Sequence, residues 1–207
     1  MYCPIYLVDD DTAILDSVTF LLEGEDFQVS AFQSANEFLD SVDMKLPGVI
    51  LLDVNMPGMD GLEMQKQVES AESSLVIVFL TGHADVETTK LAFKRGAHDL
   101  LQKPVQGELL CQTLQQAQAL SLDTHNAKQQ NADFESRVQT LTEREKSLIP
   151  LIIEGKPNKT IADELCIALR TVEIHRHNLF KKMAVTSGIQ LAFEGRKLLD
   201  LIEEQQR

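Results

Sequence analysis

Five short apolar segments, each separated from the next by a helix-like pattern, most constrain how the first half of this chain can fold. The third and fourth segments carry no polar residue, which is typical of strands buried on both faces of a parallel sheet. Strands that alternate with helices predict an α/β fold with helices covering both faces of that sheet. The segments are Ile5–Val8, Phe27–Phe32, Val49–Leu52, Leu75–Leu80 and His98–Leu101.

Apolar residues between these segments recur at helical spacing. Ile14, Val18 and Leu21 share one helical face, and Ser34 with Glu37 has the spacing of a capping box. Further amphipathic stretches cover about 61–70 and 85–95. The predicted class is therefore a doubly wound α/β domain over residues 1–121.

The pattern changes after Gln106, because no further strand signal appears. Residues 106–139 contain no proline and predict one long connecting helix, with a linker over 122–139. A weak heptad repeat favours a short coiled coil, and an amphipathic linker that packs on its own domains is an equal alternative. The two seams are Leu110, Ala117, Thr124, Asn131 and Val138, and Leu120, Ala127, Phe134 and Leu141.

Residues 140–207 predict a small all-α domain of several short helices. Thr142 and Glu145 form a capping box, Asn158 is the expected cap of the next helix, and Cys166–Ala168 is a three-residue break. A longer helix then runs to about Met183, and a last helix begins at Ser187 and reaches about Ile202. Pro150 predicts a kink in the first of these helices.

The net charge of −13 argues against nucleic acid binding until its distribution is considered. Residues 1–121 hold 19 acidic and 6 basic residues, whereas residues 122–207 hold 13 of each. Six Lys and Arg residues lie within 156–182 against three acids, which is a local basic patch. Three scattered cysteines, no long apolar run and no signal peptide lead us to expect a reducing, cytoplasmic environment.

Polar residues follow four of the predicted strands at the point where each strand ends. Asp9 and Asp10 follow the first, Asp53 the third, Thr81 the fourth and Lys103 the fifth. The carboxyl ends of parallel strands form one rim, where ligands bind. Converging carboxylates repel each other unless a cation joins them, and such hard oxygen ligands suit Mg²⁺. A hydroxyl and an ammonium group opposite the metal would complete a cradle for a phosphoryl group.

Four motifs at these positions resemble the receiver domain of two-component response regulators, over about residues 3–121. They are VDDD at Val8–Asp11, DVNMPGMDG at Asp53–Gly61, TG at Thr81–Gly82 and KP at Lys103–Pro104. The resemblance implies a flavodoxin-like five-stranded parallel sheet. It also implies that Asp53 is phosphorylated by a partner sensor histidine kinase.

The resemblance implies a role for each further residue of the site. Asp10, Asp53 and the main-chain carbonyl of Asn55 would hold Mg²⁺, and Asp9 would act through a metal-bound water. Thr81 and Lys103 would contact the phosphoryl group, Gly82 would leave room for the donor, and the Lys103–Pro104 bond would be cis. One residue departs from the family pattern, because Leu100 stands where receivers usually carry an aromatic switch.

Residues 158–183 predict a helix-turn-helix, in which the second helix enters the major groove of DNA. Ile161, Leu165, Val172, Leu179 and Met183 supply its buried positions. Charged residues at helical spacing form the outer face of the second helix, and these are Arg170, Glu173, His177 and Lys181.

The segments LTERE, GKPNKTIADEL and RTVEIHRHNLFKKM resemble the LuxR-type DNA-binding domain, as found in response regulators of the FixJ/NarL type. The resemblance implies three groups of DNA contacts. Lys159, Arg170 and Thr171 would touch phosphates; Glu173, Ile174 and His177 would face bases; Arg176, Lys181 and Lys182 would add backbone contacts. The last helix would mediate dimerisation. Ala168 and Leu169 stand where the family often has Ser-Pro, so the usual helix cap is missing.

The predicted function is a phosphorylation-controlled, sequence-specific transcription factor without turnover of an external substrate. Its expected partners are a sensor histidine kinase, promoter DNA, a second copy of itself and RNA polymerase, and no membrane. A Mg²⁺-dependent phosphatase usually carries a second catalytic Asp two residues after the nucleophile, where this chain has Asn55. The remaining alternative is a phosphorelay or adaptor protein whose C-terminal helices bind protein.

Overall fold

The computed structural model describes residues 3–82 and 86–204, and side chains up to residue 202. The chain divides into two compact units, Met1–Ala127 and Lys128–Arg207. Within the described residues, no helix combines the length and the apolar character needed to cross a membrane.

The first unit is built on a five-stranded parallel sheet. Its order is β2-β1-β3-β4-β5, and each pair is in parallel register, for example with Ile5 opposite both Val29 and Val49. This arrangement confirms the predicted flavodoxin-like sheet. The strands are β1 (Ile5–Val8), β2 (Val29–Phe32), β3 (Val49–Leu52), β4 (Val76–Thr81) and β5 (Asp99–Gln102).

Five helices follow the five strands in turn. The expected start of the fourth helix at Asp85 lies outside the described residues. Asp60 and Glu63 form a complete capping box, whereas Ser34 accepts the Glu37 N–H but Glu37 accepts the N–H of Gln33 instead of Ser34. The helices are α1 (Thr12–Gly24), α2 (Ala35–Ser41), α3 (Gly61–Ser70), α4 (Val86–Lys94) and α5 (Gly107–Gln139).

The continuous apolar sequence of β3 is explained by cores on both faces of the sheet. Val49 and Leu51 point into a core shared with α1 and the first part of α5. Ile50 and Leu52 point into the other core, which α2, α3 and α4 cover. All four residues are fully buried, so any polar substitution along this strand would bury an unsatisfied group.

Helix α5 runs for 33 residues and contributes to both units in turn. Leu110 and Ala117 are buried in the core of the first unit, and Val138 is buried in that of the second. These apolar seam positions are thus used within the chain itself. Between them, Leu120 is 46% exposed and Ala127 and Asn131 are exposed, so the amphipathic linker and the coiled coil both stay predictions.

The second unit is entirely helical. Its helices are α6 (Glu143–Ile153), α7 (Asn158–Glu164), α8 (Leu169–Met183), α9 (Gly188–Phe193) and α10 (Gly195–Glu204). The Thr142–Glu145 capping box is present, and α7 and α8 are joined by the expected break, with Cys166 in the left-handed region at φ 52°. A helix-turn-helix is therefore present at the predicted position.

Two predictions in this unit were wrong. The N-cap of α7 is Pro157, without a side-chain bond, because the Asn158 side chain instead accepts a hydrogen bond from Arg176. The last helix is broken at Glu194, so that it forms two helices. The break places Gly195 close to α6, where a Cβ atom would lie 3.1 Å from Ile153 Cδ1.

Candidate functional site

Three of the predicted polar residues meet at the carboxyl ends of β1, β3 and β5. The Lys103 ammonium donates to Asp53 Oδ1 at 2.7 Å and also to Asp9 Oδ2. Asp9 is 2% exposed and Asp53 6% exposed. Asp53 lies 44 positions after Asp9 and 50 positions before Lys103 in the sequence. The three residues form one charged cluster because parallel strands end at one rim.

Burial and charge act against each other in this cluster. Burial raises the pKa of Asp9 above its usual value, although hydrogen bonds from Lys103 and the Asp11 N–H oppose that rise. Burial alone would lower the pKa of Lys103, but its bonds to Asp53 and Asp9 outweigh burial and raise the pKa. Lysine therefore stays charged, and one ammonium balances only one of the two carboxylates.

The phosphoacceptor candidate is held at both carboxylate oxygens. Asn55 donates its backbone N–H to Asp53 Oδ2 at 2.6 Å, and Lys103 binds Oδ1. The Asp53 backbone N–H donates to Val8 O at 2.9 Å, which fixes the residue to the end of β1. The carboxylate is therefore pre-oriented at the rim.

The other predicted site residues lie around this cluster. Thr81 is the last residue of β4 and is fully buried, and its carbonyl accepts the Lys103 N–H at 2.8 Å. The Lys103–Pro104 bond is cis, as predicted. A Cβ atom at Gly82 would meet no heavy atom within 4 Å, which is consistent with open space for a donor.

The fit of a metal ion rests on the donor set. Among residues 3–82 and 86–202, no group of three His, Cys, Asp or Glu side chains is arranged to hold a metal. Asp10 is exposed, outside the pair formed by Asp9 and Asp53. Two buried carboxylates that share one ammonium nevertheless carry excess negative charge, and their hard oxygens fit Mg²⁺.

The switch position holds an aliphatic side chain that packs inside the unit. Leu100 is half-buried against the core that α2, α3 and α4 cover. Two hydrogen bonds tie α3 to α4 nearby: Gln65 Nε2 donates to Ala92 O at 2.9 Å, and Arg95 Nη1 donates to Leu62 O at 3.0 Å.

The outer face of α8 is exposed as expected. Arg170, Glu173, Ile174, His177 and Lys181 are all accessible to solvent, and so is Lys159 on α7. Arg170 and Glu173 form an ion pair at 3.1 Å. Thr171 and His175 are partly buried. Helix α8 lacks a side-chain hydrogen bond at its N-cap, as the alanine at position 168 predicts.

Two predicted backbone contacts are engaged within the second unit. The Lys182 ammonium donates to Glu145 Oε2 at 2.7 Å and to Thr140 O at 2.9 Å. The Arg176 guanidinium donates to Asn158 Oδ1 at 3.0 Å and lies 5.2 Å from the centre of the Phe180 ring. Both side chains therefore help to fix α8 against its neighbours.

Sequence reasoning missed these partners. The sequence predicts only a capping box for Glu145 and only a helix cap for Asn158. Glu145 and Asn158 are polar residues next to apolar ones, which indicates that they need partners. Only the packing of α8 decides which basic side chain contacts each of them.

Comparison with known proteins places both units in families. Residues 5–115 match the family model of the response regulator receiver domain, and residues 139–194 match that of the bacterial regulatory proteins of the luxR family. Response regulator protein TodT of Pseudomonas putida is 33% identical over 199 residues, which cover 96% of this chain and 88% of TodT.

Two further similarities extend over nearly the whole chain. Transcriptional regulatory protein FixJ of Bradyrhizobium diazoefficiens is 37% identical over 187 residues, covering 90% of this chain and 91% of FixJ. The solved structure of response regulator StyR is 34% identical and has a TM-score of 0.87. The match covers 99% of this chain and 100% of StyR.

Proposed function

The chain belongs to the response regulators that join a receiver domain to a LuxR-type DNA-binding domain, and on that premise we propose a role for each residue of its acidic site. Response regulators of this kind regulate transcription under the control of phosphorylation. The observation that carries the proposal is the shared ammonium of Lys103 between two buried carboxylates.

Asp53 is the phosphoacceptor, and the donor is a phosphohistidine of a sensor kinase. One Asp53 oxygen forms a bond to phosphorus while the P–N bond of the donor breaks, and the imidazole keeps the electron pair. Asn55 N–H and Lys103 hold the carboxylate oriented for in-line attack. Such orientation is the main contribution that a protein makes to phosphoryl transfer.

Lys103 and Thr81 then contact the product. The ammonium leaves its position between Asp9 and Asp53 to bind a phosphoryl oxygen, since phosphorylation adds about −1.5 to −2 charge at this point. The Thr81 hydroxyl donates to another oxygen. The Lys103 backbone N–H donates to the Thr81 carbonyl. The ends of β4 and β5 therefore respond together to the phosphoryl group.

Receiver domains generally bind Mg²⁺ at this acidic site. We assign Asp10, Asp53 and the Asn55 carbonyl as its ligands here, with Asp9 reached through water. When bound, the ion neutralises charge on the phosphoryl oxygens. Asp10 is the exposed carboxylate of this set and is therefore open to enter coordination from solvent.

No external substrate is turned over under this proposal. The acyl phosphate on Asp53 is lost by slow hydrolysis, which the protein assists. Asn55 supplies no carboxylate to act as a second acid two residues after the nucleophile, and this feature supports a regulator over a phosphatase.

The second unit binds promoter DNA through α8. Lys159, Arg170, Thr171 and Lys181 contact phosphates, whereas Glu173, Ile174 and His177 face bases. Arg176 and Lys182 contribute chiefly by holding α8 in place, with phosphate contacts through their remaining N–H groups. RNA polymerase is the further partner of the bound complex.

Labelling with a small phosphodonor tests the proposal. The chain with Mg²⁺ should gain one phosphoryl group, and both Asp53→Asn and EDTA should abolish the labelling. Undiminished labelling of Asp53→Asn would reject the site. Retention of the chain on DNA-cellulose, compared with retention of Lys181→Ala, separates DNA binding from an adaptor role.

A further inference from the structure

The start of helix α3 lies directly against the backbone of the proposed phosphoacceptor. A Cβ atom on Gly61 would approach Asp53 O to well inside 3.0 Å, a separation that real Cβ atoms do not show. It would also lie 3.0 Å from Val54 Cα and 3.2 Å from Asp53 C. These neighbours are backbone atoms, so no side chain can turn away to relieve the contact.

Both sides of this contact are held in place. Helix α3 is fixed by the buried side chains of Met64 and Val68 and by the capping box at Asp60. The Gly61 N–H donates to Val54 O at 2.9 Å, which closes the loop between β3 and α3. On the other side, Asp53 is bound to Val8 O by its own N–H.

We infer that Gly61 is a positioning residue for phosphoryl transfer, because its missing side chain lets α3 hold the Asp53 backbone where the carboxylate can attack. This inference rests on the proposed role of Asp53. The last residue of the DVNMPGMDG motif then acts through geometry alone. Any larger residue displaces the Asp53 backbone and with it the hydrogen bonds from Asn55 and Lys103 to the carboxylate.

A second crowded glycine supplies a matched control. Gly48 immediately precedes β3, whereas Asp53 immediately follows that strand. A Cβ atom on Gly48 would lie 2.6 Å from Tyr6 Cε2, 3.0 Å from Leu75 Cδ2 and 3.3 Å from Pro4 O, so its two nearest neighbours are side-chain atoms. Gly48→Ala therefore also strains the first unit, at the opposite end of the same strand.

The test compares the rate of phosphorylation by acetyl phosphate and Mg²⁺ in wild type, Gly61→Ala and Gly48→Ala. In this step Asp53 forms the new P–O bond and acetate leaves with the electron pair of the broken one. A displacement of about 1 Å can cost on the order of 100-fold in rate. We expect Gly61→Ala to react about 10- to 100-fold more slowly, and Gly48→Ala to react within about twofold of wild type when both are folded.

A readout that does not depend on activity is the NMR resonance of the Asn55 amide, which donates to Asp53. It should shift in Gly61→Ala and stay unchanged in Gly48→Ala. If Gly61→Ala does not fold, sucrose favours the folded state without relieving the local contact, and the slow reaction should persist.

The failures of the two proposals are distinguishable. Labelling of wild type at a residue other than Asp53 would overturn the phosphoacceptor assignment. Labelling at Asp53 with equal rates in the two glycine variants, or an unshifted Asn55 amide in folded Gly61→Ala, would overturn the positioning role alone.

Discussion

At the scale of single residues, one ammonium group serves two buried carboxylates. Lys103 was predicted to contact a phosphoryl group, and the unphosphorylated structure shows what it contacts beforehand: Asp53 and Asp9. The two sets of partners compete for the same donor. A phosphoryl group on Asp53 would therefore change the environment of Asp9 and of the end of β5 together.

Replacing Lys103 with methionine should uncouple phosphorylation from response. Some phosphoryl transfer should persist because Asp53, and not Lys103, is the proposed nucleophile. The gain in DNA affinity on phosphorylation, typically about 5- to 150-fold for coupled sites, should fall towards 1. DNA binding by fluorescence anisotropy with and without phosphodonor measures this ratio, and Lys66→Met on the exposed face of α3 is the control. Wild-type coupling in Lys103→Met would contradict the assignment.

Glu145 gives a prediction about pH in the second unit. Burial would raise its pKa, but bonds from Lys182 and Thr142 outweigh burial and lower the pKa. A carboxylate whose pKa is lower in the folded state stabilises the fold at pH values above its unfolded-state pKa. That contribution is lost as the pH falls through the folded-state pKa. Glu145→Gln should therefore cost about 1–3 kcal/mol of unfolding free energy at neutral pH.

Calorimetry of the second unit's unfolding transition at pH 7 and near pH 4 checks this dependence. The difference in the free energy of unfolding between wild type and Glu145→Gln should be smaller at the lower pH. Glu143→Gln is the control in the same helical turn, because the Glu143 side chain is 77% exposed where it pairs with Lys146. Exposed pairs contribute about 0–1 kcal/mol. An equal loss in both variants would refute the role of burial.

At the scale of elements, the strands could be predicted because apolar runs between helical patterns have one solution. β1 and β3 agree with the prediction at both ends, β4 and β5 are shifted by one residue, and β2 begins two residues later than predicted. The failures lie where a distant residue decides. Asn158 does not cap α7 because Arg176 uses its side chain, and the last helix breaks where Gly195 meets α6.

The candidate site was predictable to the same extent. Four motifs identified which residues belong to the rim, since strand ends converge in any parallel sheet. Differences in position of a fraction of an ångström decide three further contacts. These are the pairing of Lys103 with Asp9, the hydrogen bond from Asn55 to Asp53, and the approach of Gly61 to the Asp53 backbone. Residue type and spacing carry no such distances.

Helix α8 should divide its work between affinity and base choice. Lys181→Ala should weaken binding equally on specific and random DNA and reduce the salt slope by about 1. Glu173→Ala should instead change the preferred bases, because a carboxylate can accept from cytosine N4. Lys181 is a cleaner test than Arg176, which also holds Asn158.

Salt-dependent anisotropy on two DNA sequences, with selection of preferred sites, measures both effects. A changed preference in Lys181→Ala together with an unchanged preference in Glu173→Ala would show that the roles are assigned the wrong way round.

At the scale of the whole molecule, charge limits how two copies can associate. Residues 1–121 carry 19 acidic and 6 basic residues, so two receivers repel each other over most of their surfaces. Three of those six bases, Lys90, Lys94 and Arg95, lie on or next to α4. The same helix exposes Val86 and Phe93. We therefore expect self-association through the face formed by α4, β5 and the start of α5.

This face also offers both signs of charge. Asp99 and Glu108 lie on β5 and α5, so a two-fold axis can pair them with the bases of the other copy. Arg95 is held by the Leu62 carbonyl, whereas Lys90 and Lys94 are both exposed, and we choose Lys94 for the test. Under the proposed function, phosphorylation would alter the ends of β4 and β5 at Thr81 and Lys103, and these strands border the face.

We therefore expect the phosphoryl analogue beryllofluoride to shift the protein towards a dimer through this face, so that two DNA-binding units reach half-sites about 34–36 Å apart. Sedimentation equilibrium of wild type at roughly 50 μM, a range suited to weak dimers, should show the shift. Lys94→Glu should stay monomeric because it adds repulsion at the axis, whereas Lys45→Glu makes the same charge change outside the face and should dimerise like wild type. Leu100 lacks an aromatic ring to swing inward, so the shift should be smaller than an aromatic switch would give, and Leu100→Phe should enlarge it. A monomeric wild type with bound beryllofluoride, or equal dimerisation of the two glutamate variants, would contradict this assignment of the face.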